Sequence, residues 1–465
     1  QGDATSSLLF CLGVDKAINE INAQFARRGI EAEVYMYMDD LTVCVRNEDA
    51  NRASQIVIDA FNAIGLKINE NKSKILCSVE AAYVLPHCTH DEEFIILGAN
   101  VATSDRSYRA FIRRLVERQI AYFDLFDQVP IHPQVRATIL RICGHPRIMY
   151  FCATTPPRHM KKVAELFDDL VIRQYAHMLD PTGHTKIPKH IVHDEAGLGV
   201  PNYAGNLHDI FNAFENMSIT DDPRVPYVSL TTNQLDTTTT GPQLDSQWMF
   251  YDAASTLTPN QFRTALAIRL NVLPRQYWLV NHKCNCGYAY GVDDRNSIDH
   301  IFLCDSATPC GHTHRHNLVL DAIITTARYY GITTSKEPTC FTYDSGRHQR
   351  PDALFHTQPL PIAIDVSLVS GTPASEHIQA AEENKNKTHK AATTNGGARF
   401  SPFIMATRGT LGSKAEDFIS TLSHSVQPFL KQSFVRHLRH AVSNAAAKGR
   451  SDALTAAIAR HNVVV

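Results

Sequence analysis

The stretch VYMYMDDLTVCV, residues 34–45, is an apolar run, two adjacent carboxylates and a second apolar run. Apolar and β-branched residues on both sides read as two half-buried strands, with the polar pair as the turn of a hairpin. Asp39 and Asp40 carry like charges a few Å apart, and something must offset their repulsion. A turn in water does so, and so does a divalent cation. The flanking segments set the fold class. Residues 6–28 read as a helix, with Leu8, Leu9, Leu12, Ile18 and Ile21 as a rough apolar stripe and Gly29 after Arg27-Arg28 as a stop. Residues 49–64 read as a second helix, with Ile56, Val57, Ala60, Phe61 and Ile64 on one face and Gly65 as its C-terminal stop. Short strands are expected around Lys74–Ser78 and Phe94–Leu97. The expected class is α+β, helices packed on an antiparallel sheet.

Beyond this, residues 107–174 carry helical spacing, for example Ile112, Leu115, Val116, Ile120 and Phe123. The segment 135–157 reads as a helix, a Gly-His-Pro break and another helix ended by Pro156-Pro157. Residues 221–243 are polar and Thr-rich, the best linker in the chain. A second globular region then runs to about Ser443 and ends in an Ala-rich polar helix. No repeat at solenoid spacing is visible.

A chain of 465 residues has room for several domains. The net charge of −2 leaves nucleic acid neither supported nor excluded, since patches matter more than totals. The stretch from His377 to Val465 is basic, with 12 Lys/Arg against 5 Asp/Glu. The 11 cysteines lie mostly inside apolar runs, as Cys11, Cys44, Cys143 and Cys152 do, which suits reduced thiols in an intracellular protein. No uncharged apolar run approaches the ~20 residues of a membrane span, and there is no signal peptide. The chain starts at Gln1 and runs straight into an apolar pattern, so it reads as an N-terminally truncated fragment.

Asp-Asp in a turn is weak taken alone; a solvated turn is the plain alternative. Its neighbours add to it: QGDATSSLLFCLGVDKAI at 1–18, GLKINENKSKIL at 65–76 and FIILGANV at 94–101. This order resembles the later palm motifs of reverse transcriptases. The resemblance implies two Mg²⁺ ions for nucleotidyl transfer, held by carboxylates on a rigid hairpin. It makes Asp39 a metal ligand and Asp40 its weaker neighbour. It puts Gln1 and Gly2 near the template and incoming nucleotide, Tyr37 and Met38 on the sugar side, Lys72 near the triphosphate, and Leu97-Gly98 in the hairpin that grips the primer. A plain surface lysine and an ordinary strand end are the alternatives for Lys72 and Leu97-Gly98. Reverse transcriptases take another metal-binding Asp from a strand upstream of Gln-Gly. This chain has none, so by itself it is not expected to polymerise DNA.

A second constellation is CNCGYAYGVDDRNSIDHIFLC, residues 284–304. Cys284 and Cys286 form a tight pair, and His300 and Cys304 lie one helical turn apart. Three thiolates and an imidazole suit structural Zn²⁺. Buried cysteines beside a helix histidine are the alternative, because C-x-C is tighter than the commoner C-x2-C. Cys310, His312, His314 and His316 follow; they could supply an alternative ligand but are not assigned to metal, and His316 could instead be a core or DNA-facing histidine.

The third is RPDALFHTQPLPIAIDVSLV, residues 350–369. Asp352 follows Pro351, and Asp365 sits in a strand whose alternation puts it with Ser367, opposite Ile364 and Val366. A mid-strand carboxylate needs a partner or a metal; a capping Asp is the alternative. In the helix SEHIQAAEENKNKTHKAA, residues 375–392, Glu383, Lys387 and Lys390 share one stripe, and Lys385 lies on the other side with Ile378. That stripe is either a solvated face or part of a nuclease in which Asp352 and Asp365 hold Mg²⁺ and a lysine stabilises the developing phosphorane charge. The pattern resembles the PD-(D/E)xK restriction-like endonuclease fold. Ser367 stands where the simplest form has lysine, so Lys387 or Lys390 is the favoured substitute.

Palm, thumb, knuckle and nuclease in this order resemble the non-LTR retrotransposon proteins with a C-terminal restriction-like endonuclease. The segments 140–157 and 195–202 are similar to the region between palm and knuckle in that family. The expected organisation is a partial α+β palm (1–104), an α-helical thumb and connector (105–220), a linker (221–247), a helical region with the Cys/His zinc knuckle (248–320), an α/β restriction-like endonuclease (321–443) and a C-terminal helix (444–465). The resemblance implies target-primed reverse transcription, in which the nuclease nicks target DNA and the 3′-OH primes copying of element RNA. It implies deoxynucleoside triphosphates, element RNA and target DNA as partners, Mg²⁺ and Zn²⁺ as cofactors, and a nuclear location. The oligomeric state is open. Two other readings stand beside it: a catalytically dead element remnant, or a host-adopted zinc-dependent nucleic-acid-binding or nuclease module.

Overall fold

The structure is a computed structural model of the 465-residue chain. It describes residues 5–77, 89–181, 183, 187–193, 198–215, 249, 256–270, 283–290, 295–304, 307, 311–343, 349–370, 374–406 and 409–460. Gln1, Gly2, Cys310 and the linker at 221–247 lie outside the described residues. The chain forms two compact units: residues 1–119, 150–163 and 207–214 in one, residues 120–149, 164–206 and 215–465 in the other. The expected boundary at 104/105 is therefore not where the chain divides.

In the first unit, α1 (Ser6–Arg27) and α2 (Ala50–Ala63) pack on the hairpin of β1 (Ala32–Tyr37) and β2 (Asp40–Val45). Val14, Ala17, Ile21 and Phe25 meet Ala53, Ile56, Val57, Ala60 and Phe61, and Val34, Met36, Leu41 and Val43 close the other side. Burial alternates along β1 as a half-buried strand requires. The buried stripe of α1 is shifted from the expected one: Leu8, Leu9 and Leu12 are 61%, 63% and 65% exposed.

A single antiparallel sheet was expected, and the structure corrects this. The described strands of this unit form three separate two-stranded ladders. One of them, β3 (Lys74–Leu76) with β4 (Thr89–Asp91), is parallel. The third ladder is the hairpin of β5 (Glu93–Ile96) and β6 (Ala99–Ala102).

The first part of α3 (Asp105–Gln128) follows, with Tyr108 stacked on His159 at 4.4 Å and Phe111 against Phe151.

In the second unit, α4 (Pro133–Ile139) does not break at Gly-His-Pro. It runs through a π turn (Leu140–Gly144) and a 3-10 turn (His145–Ile148) into α5 (Met149–Thr154), which from Tyr150 onward belongs to the first unit, as do the residues up to Val163. Pro157 starts α6 (Pro157–Leu179) rather than ending a helix, because proline at a first helical position lacks only an N–H that would be unpaired anyway. His145 and Tyr175 are buried beside each other, and the Tyr203 hydroxyl donates to the His145 carbonyl at 2.7 Å. The remaining small helices are α7 (Lys189–His193) and α8 (Leu207–Glu215), the latter contributing 207–214 to the first unit.

After residue 256 the helix α9 (Pro259–Arg269) opens with a capping box between Thr258 and Gln261. Then come α10 (Arg295–Leu303) and α11 (Gly311–Tyr329). A four-stranded sheet follows in spatial order β10-β9-β8-β7, from β7 (Thr334–Lys336), β8 (Ala353–Phe355), β9 (Ile362–Val369) and β10 (Arg399–Ala406). β7, β8 and β9 are antiparallel neighbours, while β10 lies parallel to β9. The crossover is α12 (Ala374–Asn395). One face packs on α11, α13 (Ser413–Ser423) and α14 (Lys431–Arg460) through Ile362, Ile364, Val366, Phe403 and Met405. The other face meets α12 through residues such as Ile404 and Ala406 against Ile378. β9 is therefore buried on both faces, not alternating as expected, because helices cover both sides of the sheet.

The expected break at 443/444 is crossed by one continuous helix, Lys431–Arg460. Its first half, with Phe434, Leu438 and Val442, packs on the sheet core. Its second half, with Ala453, Leu454, Ala457 and Ile458, packs on Cys284, Tyr290, Ile301 and Phe302. The boundary at 320/321 likewise falls inside α11.

Candidate metal and carboxylate sites

The Asp39-Asp40 pair sits where the sequence puts it. Tyr37 pairs with Asp40 across a two-residue turn of Met38 and Asp39, and Met38 adopts the left-handed φ of 56°. Both carboxylates and Tyr37 are exposed, as is Lys72. Leu97 and Gly98 form another two-residue turn, with φ of 49° and 88°. Two successive positive φ values match the twist of a tight hairpin. The Tyr150 hydroxyl anchors that turn by donating to the Leu97 carbonyl at 2.7 Å. A Cβ on Gly98 would lie 3.5 Å from the Tyr150 ring, so backbone conformation rather than space favours glycine there.

The Cys/His cluster is brought together in full. Cys284, Cys286, His300 and Cys304 present ligand atoms all within 4.8 Å of one another. Cys284 N donates to the Tyr288 carbonyl, and Gly287, at φ 92°, returns its N–H to the Cys284 carbonyl. This tight turn aims the two thiols one way. His300 is on α10, and Cys304 directly follows it, its N–H on the His300 carbonyl. The Sγ atoms of Cys284 and Cys304 are 3.8 Å apart, and Cys286 Sγ is 3.4 Å from His300 Nε2. A tetrahedral ion with bonds of ~2.3 Å to sulfur and ~2.0 Å to nitrogen gives edges of about 3.8 and 3.5 Å. These two separations match the edges of such a tetrahedron. Tyr288 stacks on His300 at 4.1 Å, and burial lowers the His300 pKa, favouring the neutral ring that ligates. Among the described residues this is the one group of three or more such donors.

The third constellation is assembled around adjacent strands. Asp352 precedes β8, its N–H donates to the Ile364 carbonyl, and its Oδ2 accepts from Val366 N at 2.6 Å. This explains the position after Pro351: the side chain continues the ladder on which Asp365 sits. His316, from the first turns of α11, places Nε2 2.9 Å from Asp352 Oδ2, and that hydrogen bond raises the His316 pKa.

Asp365 is buried mid-strand, its side chain 8% exposed. Lys385 Nζ lies 2.7 Å from its Oδ1 and His389 Nε2 2.6 Å from its Oδ2. Burial alone would push this carboxyl up, but the His389 hydrogen bond and the Lys385 charge overcome it and hold it below the usual range. The Tyr343 hydroxyl is 2.7 Å from His389 Nδ1, and its own pKa is pushed up to about 12, first by burial and then by the Asp365 charge.

The lysine expectation is corrected here. Lys387 and Lys390 are exposed, and Lys385 is the lysine that reaches Asp365. The signal was in the sequence: Ile378, Glu382, Lys385 and His389 recur at helical spacing, and all four turn inward. The Glu383 stripe is the solvated one. Tyr343 had no spacing signal, because its partner His389 lies on a different element. The described part of the basic C-terminal region is helix and strand in the same unit.

Both carboxylate pairs offer hard oxygen donors, which suit Mg²⁺ by ligand chemistry. At Asp365 the Lys385 ammonium and the His389 ring already partner the acid.

Two comparisons bear on this architecture. Residues 1–101 match the family described as reverse transcriptase (RNA-dependent DNA polymerase). The exposed Asp39-Asp40 turn and the Leu97-Gly98 hairpin fall within that match, so this part of the chain carries a reverse transcriptase domain.

Almost the whole chain is also similar to a single larger protein. It is 22% identical over 466 aligned residues to the retrotransposable element SLACS 132 kDa protein of Trypanosoma brucei gambiense, covering 90% of this chain and 36% of that protein. The chain thus spans about a third of the length of the relative it matches. Among the described residues no helix is long and apolar enough to cross a membrane.

Proposed function

We propose that this chain is part of a non-LTR retrotransposon RNA-directed DNA polymerase that also nicks DNA. The observation that carries the nuclease half is the convergence of Asp352, just before β8, Asp365 of β9 and Lys385 of α12. The polymerase half rests on the match over residues 1–101 and on Asp39-Asp40 at an exposed hairpin turn.

Asp352 and Asp365 would hold Mg²⁺ in the nuclease, and Asp39 with Asp40 in the polymerase. The ion supplies charge stabilisation at the phosphorus and a more acidic water. Val366 N and His316 orient Asp352, and His389 orients Asp365. Lys385 places a cation where negative charge develops as water attacks the phosphodiester and the P–O3′ bond breaks. The products are a 5′-phosphate and a 3′-OH, and that 3′-OH is the primer that RNA-templated synthesis needs.

Cys284, Cys286, His300 and Cys304 would hold Zn²⁺, chosen over harder ions by three thiolates. The exposed Lys387 and Lys390 sit on the same helix as Lys385 and would contact DNA phosphates. Tyr37, Met38 and Lys72 would serve the incoming nucleotide, and Leu97-Gly98 the primer. In this reading element RNA and target DNA are the partners and the nucleus the site of action, which a tagged chain in cells would test.

The deciding experiment is nicking of supercoiled plasmid by the zinc-loaded chain, in Mg²⁺ and in Mg²⁺-free buffer, beside Asp365→Ala. Nicking that needs both Mg²⁺ and Asp365 supports the proposal. A folded, zinc-loaded chain that never nicks would leave a nucleic-acid-binding module.

A further inference from the structure

The cysteine cluster and the carboxylate centre are tied together by two consecutive residues of one helix. Arg315 and His316 lie in the first turns of α11. Arg315 is 2% exposed and among the largest fully buried side chains. Its Nη2 donates to the Phe302 carbonyl, its Nε to the Gly311 carbonyl at 3.3 Å, and its guanidinium lies 5.1 Å over the Phe302 ring. Phe302 stands between the ligands His300 and Cys304 on the last turn of α10, where carbonyls lack helical partners and favour a cation. His316, the next residue, bonds Asp352.

Other contacts follow the same line. Asp299, beside His300, accepts from the hydroxyl of Ser370, the residue after β9. Gly449 of α14 lets the arginine in: a Cβ there would come within 2.9 Å of Arg315 Cγ. His314 and Gln261 both reach Asp452 on the same long helix.

We propose that metal at Cys284, Cys286, His300 and Cys304 sets the geometry of the nuclease centre, with Arg315 as the positioning residue that transmits it through His316 to Asp352. The proposal rests on the zinc and nuclease readings above. Physically, α10 has nine residues, too few to hold a helix without tertiary support. Its last turn is clamped by the two ligands His300 and Cys304. Without metal that turn loses its clamp and the Phe302 carbonyl leaves Arg315. A buried guanidinium without that acceptor is strongly unfavourable, so the first turns of α11 must rearrange. His316 moves with them, and Asp352 loses the partner that orients it.

The test uses the full chain in excess Mg²⁺. Zinc is removed with a zinc-selective chelator, and amide hydrogen exchange is followed at residues 311–320 and 362–369 beside plasmid nicking. Exchange at 311–320 is expected to rise by about tenfold or more, and nicking to fall by a similar factor. Arg315→Lys keeps the charge but loses the planar fork. It is expected to retain one zinc per chain by metal analysis and still show faster exchange at 311–320 and slower nicking. The proposal is overturned if the zinc-free chain keeps its protection there, or if zinc-loaded Arg315→Lys matches the parent in both readouts. Should the parent not nick at all, the nuclease reading fails, while the exchange measurements still decide whether metal orders the first turns of α11.

Discussion

Lys385 Nζ and Asp365 Oδ1 stand 2.7 Å apart, although twenty residues separate them and they sit on different elements. The contact joins the central strand of the sheet to its crossover helix. Lys385→Met is therefore expected to lower the nicking rate by ~10²-fold, in the range of removing one charge-stabilising group. Lys387→Ala and Lys390→Ala should leave the rate at saturating DNA nearly unchanged and weaken binding in a salt-dependent way. Single-turnover nicking with titrated DNA separates the two effects. Equal loss in all three variants would return the role to the exposed stripe.

Asp365→Ala should also be visible in stability. It leaves His389 buried and Lys385 without a carboxylate, and breaking a buried pair costs about 3 kcal/mol. Asp352 is half-buried, so Asp352→Ala should cost less. Urea unfolding of the two variants, read by circular dichroism, gives the comparison.

Cys304→Ser should release metal and loosen more than the knuckle. Cys284 and Cys304 share a core with Leu454 and Ala457 of α14, whose other half packs on the sheet. The expected outcome is loss of bound zinc together with a lower and broader thermal transition, since metal binding is coupled to folding. A chain that loses zinc with its transition unmoved would refute this.

His145 makes the helical part of the second unit sensitive to acid. Burial first, then the nearby Arg141, lowers its pKa from 6.5 to about 3. Between those values the unfolded chain holds a proton that the folded chain does not, so stability rises with pH there. The contribution is complete above pH 6.5 and is lost progressively as pH falls towards 3. The total is on the order of 5 kcal/mol. His145→Gln should flatten the pH dependence of unfolding over this window. An unchanged slope between pH 4 and pH 6.5 would count against it.

Leu8, Leu9 and Leu12 line the exposed side of α1, and apolar patches of this kind drive association. Replacing all three with serine should leave the α1–α2 core intact, because Val14, Ala17, Ile21 and Phe25 form the buried face. Light scattering of the parent and the triple variant should show less self-association in the variant. Identical behaviour would mean that the three leucines drive no association.

Local pattern carried much of this protein. The Asp39-Asp40 hairpin, the helices Ser6–Arg27 and Ala50–Ala63, and the gathering of Cys284, Cys286, His300 and Cys304 follow from period, punctuation and ligand spacing. These features are set by residues close in sequence, where backbone geometry fixes what meets what. The cluster spans 21 positions, yet its tight turn and short helix are each local.

Tertiary structure decided the rest. The direction of the β3–β4 pair, the burial of β9 on both faces and the continuity of α14 depend on which surfaces the chain brings together. Lys385 faces Asp365 only because α12 crosses the sheet with its Ile378 side inward. His389, Tyr343, His316 and Arg315 gain their roles from partners on other elements, from 13 to 46 residues away. A residue's own spacing says which side of its helix it occupies. Which side is covered, and by what, is settled by packing, since burial of apolar area is non-directional and only the assembled core orients it.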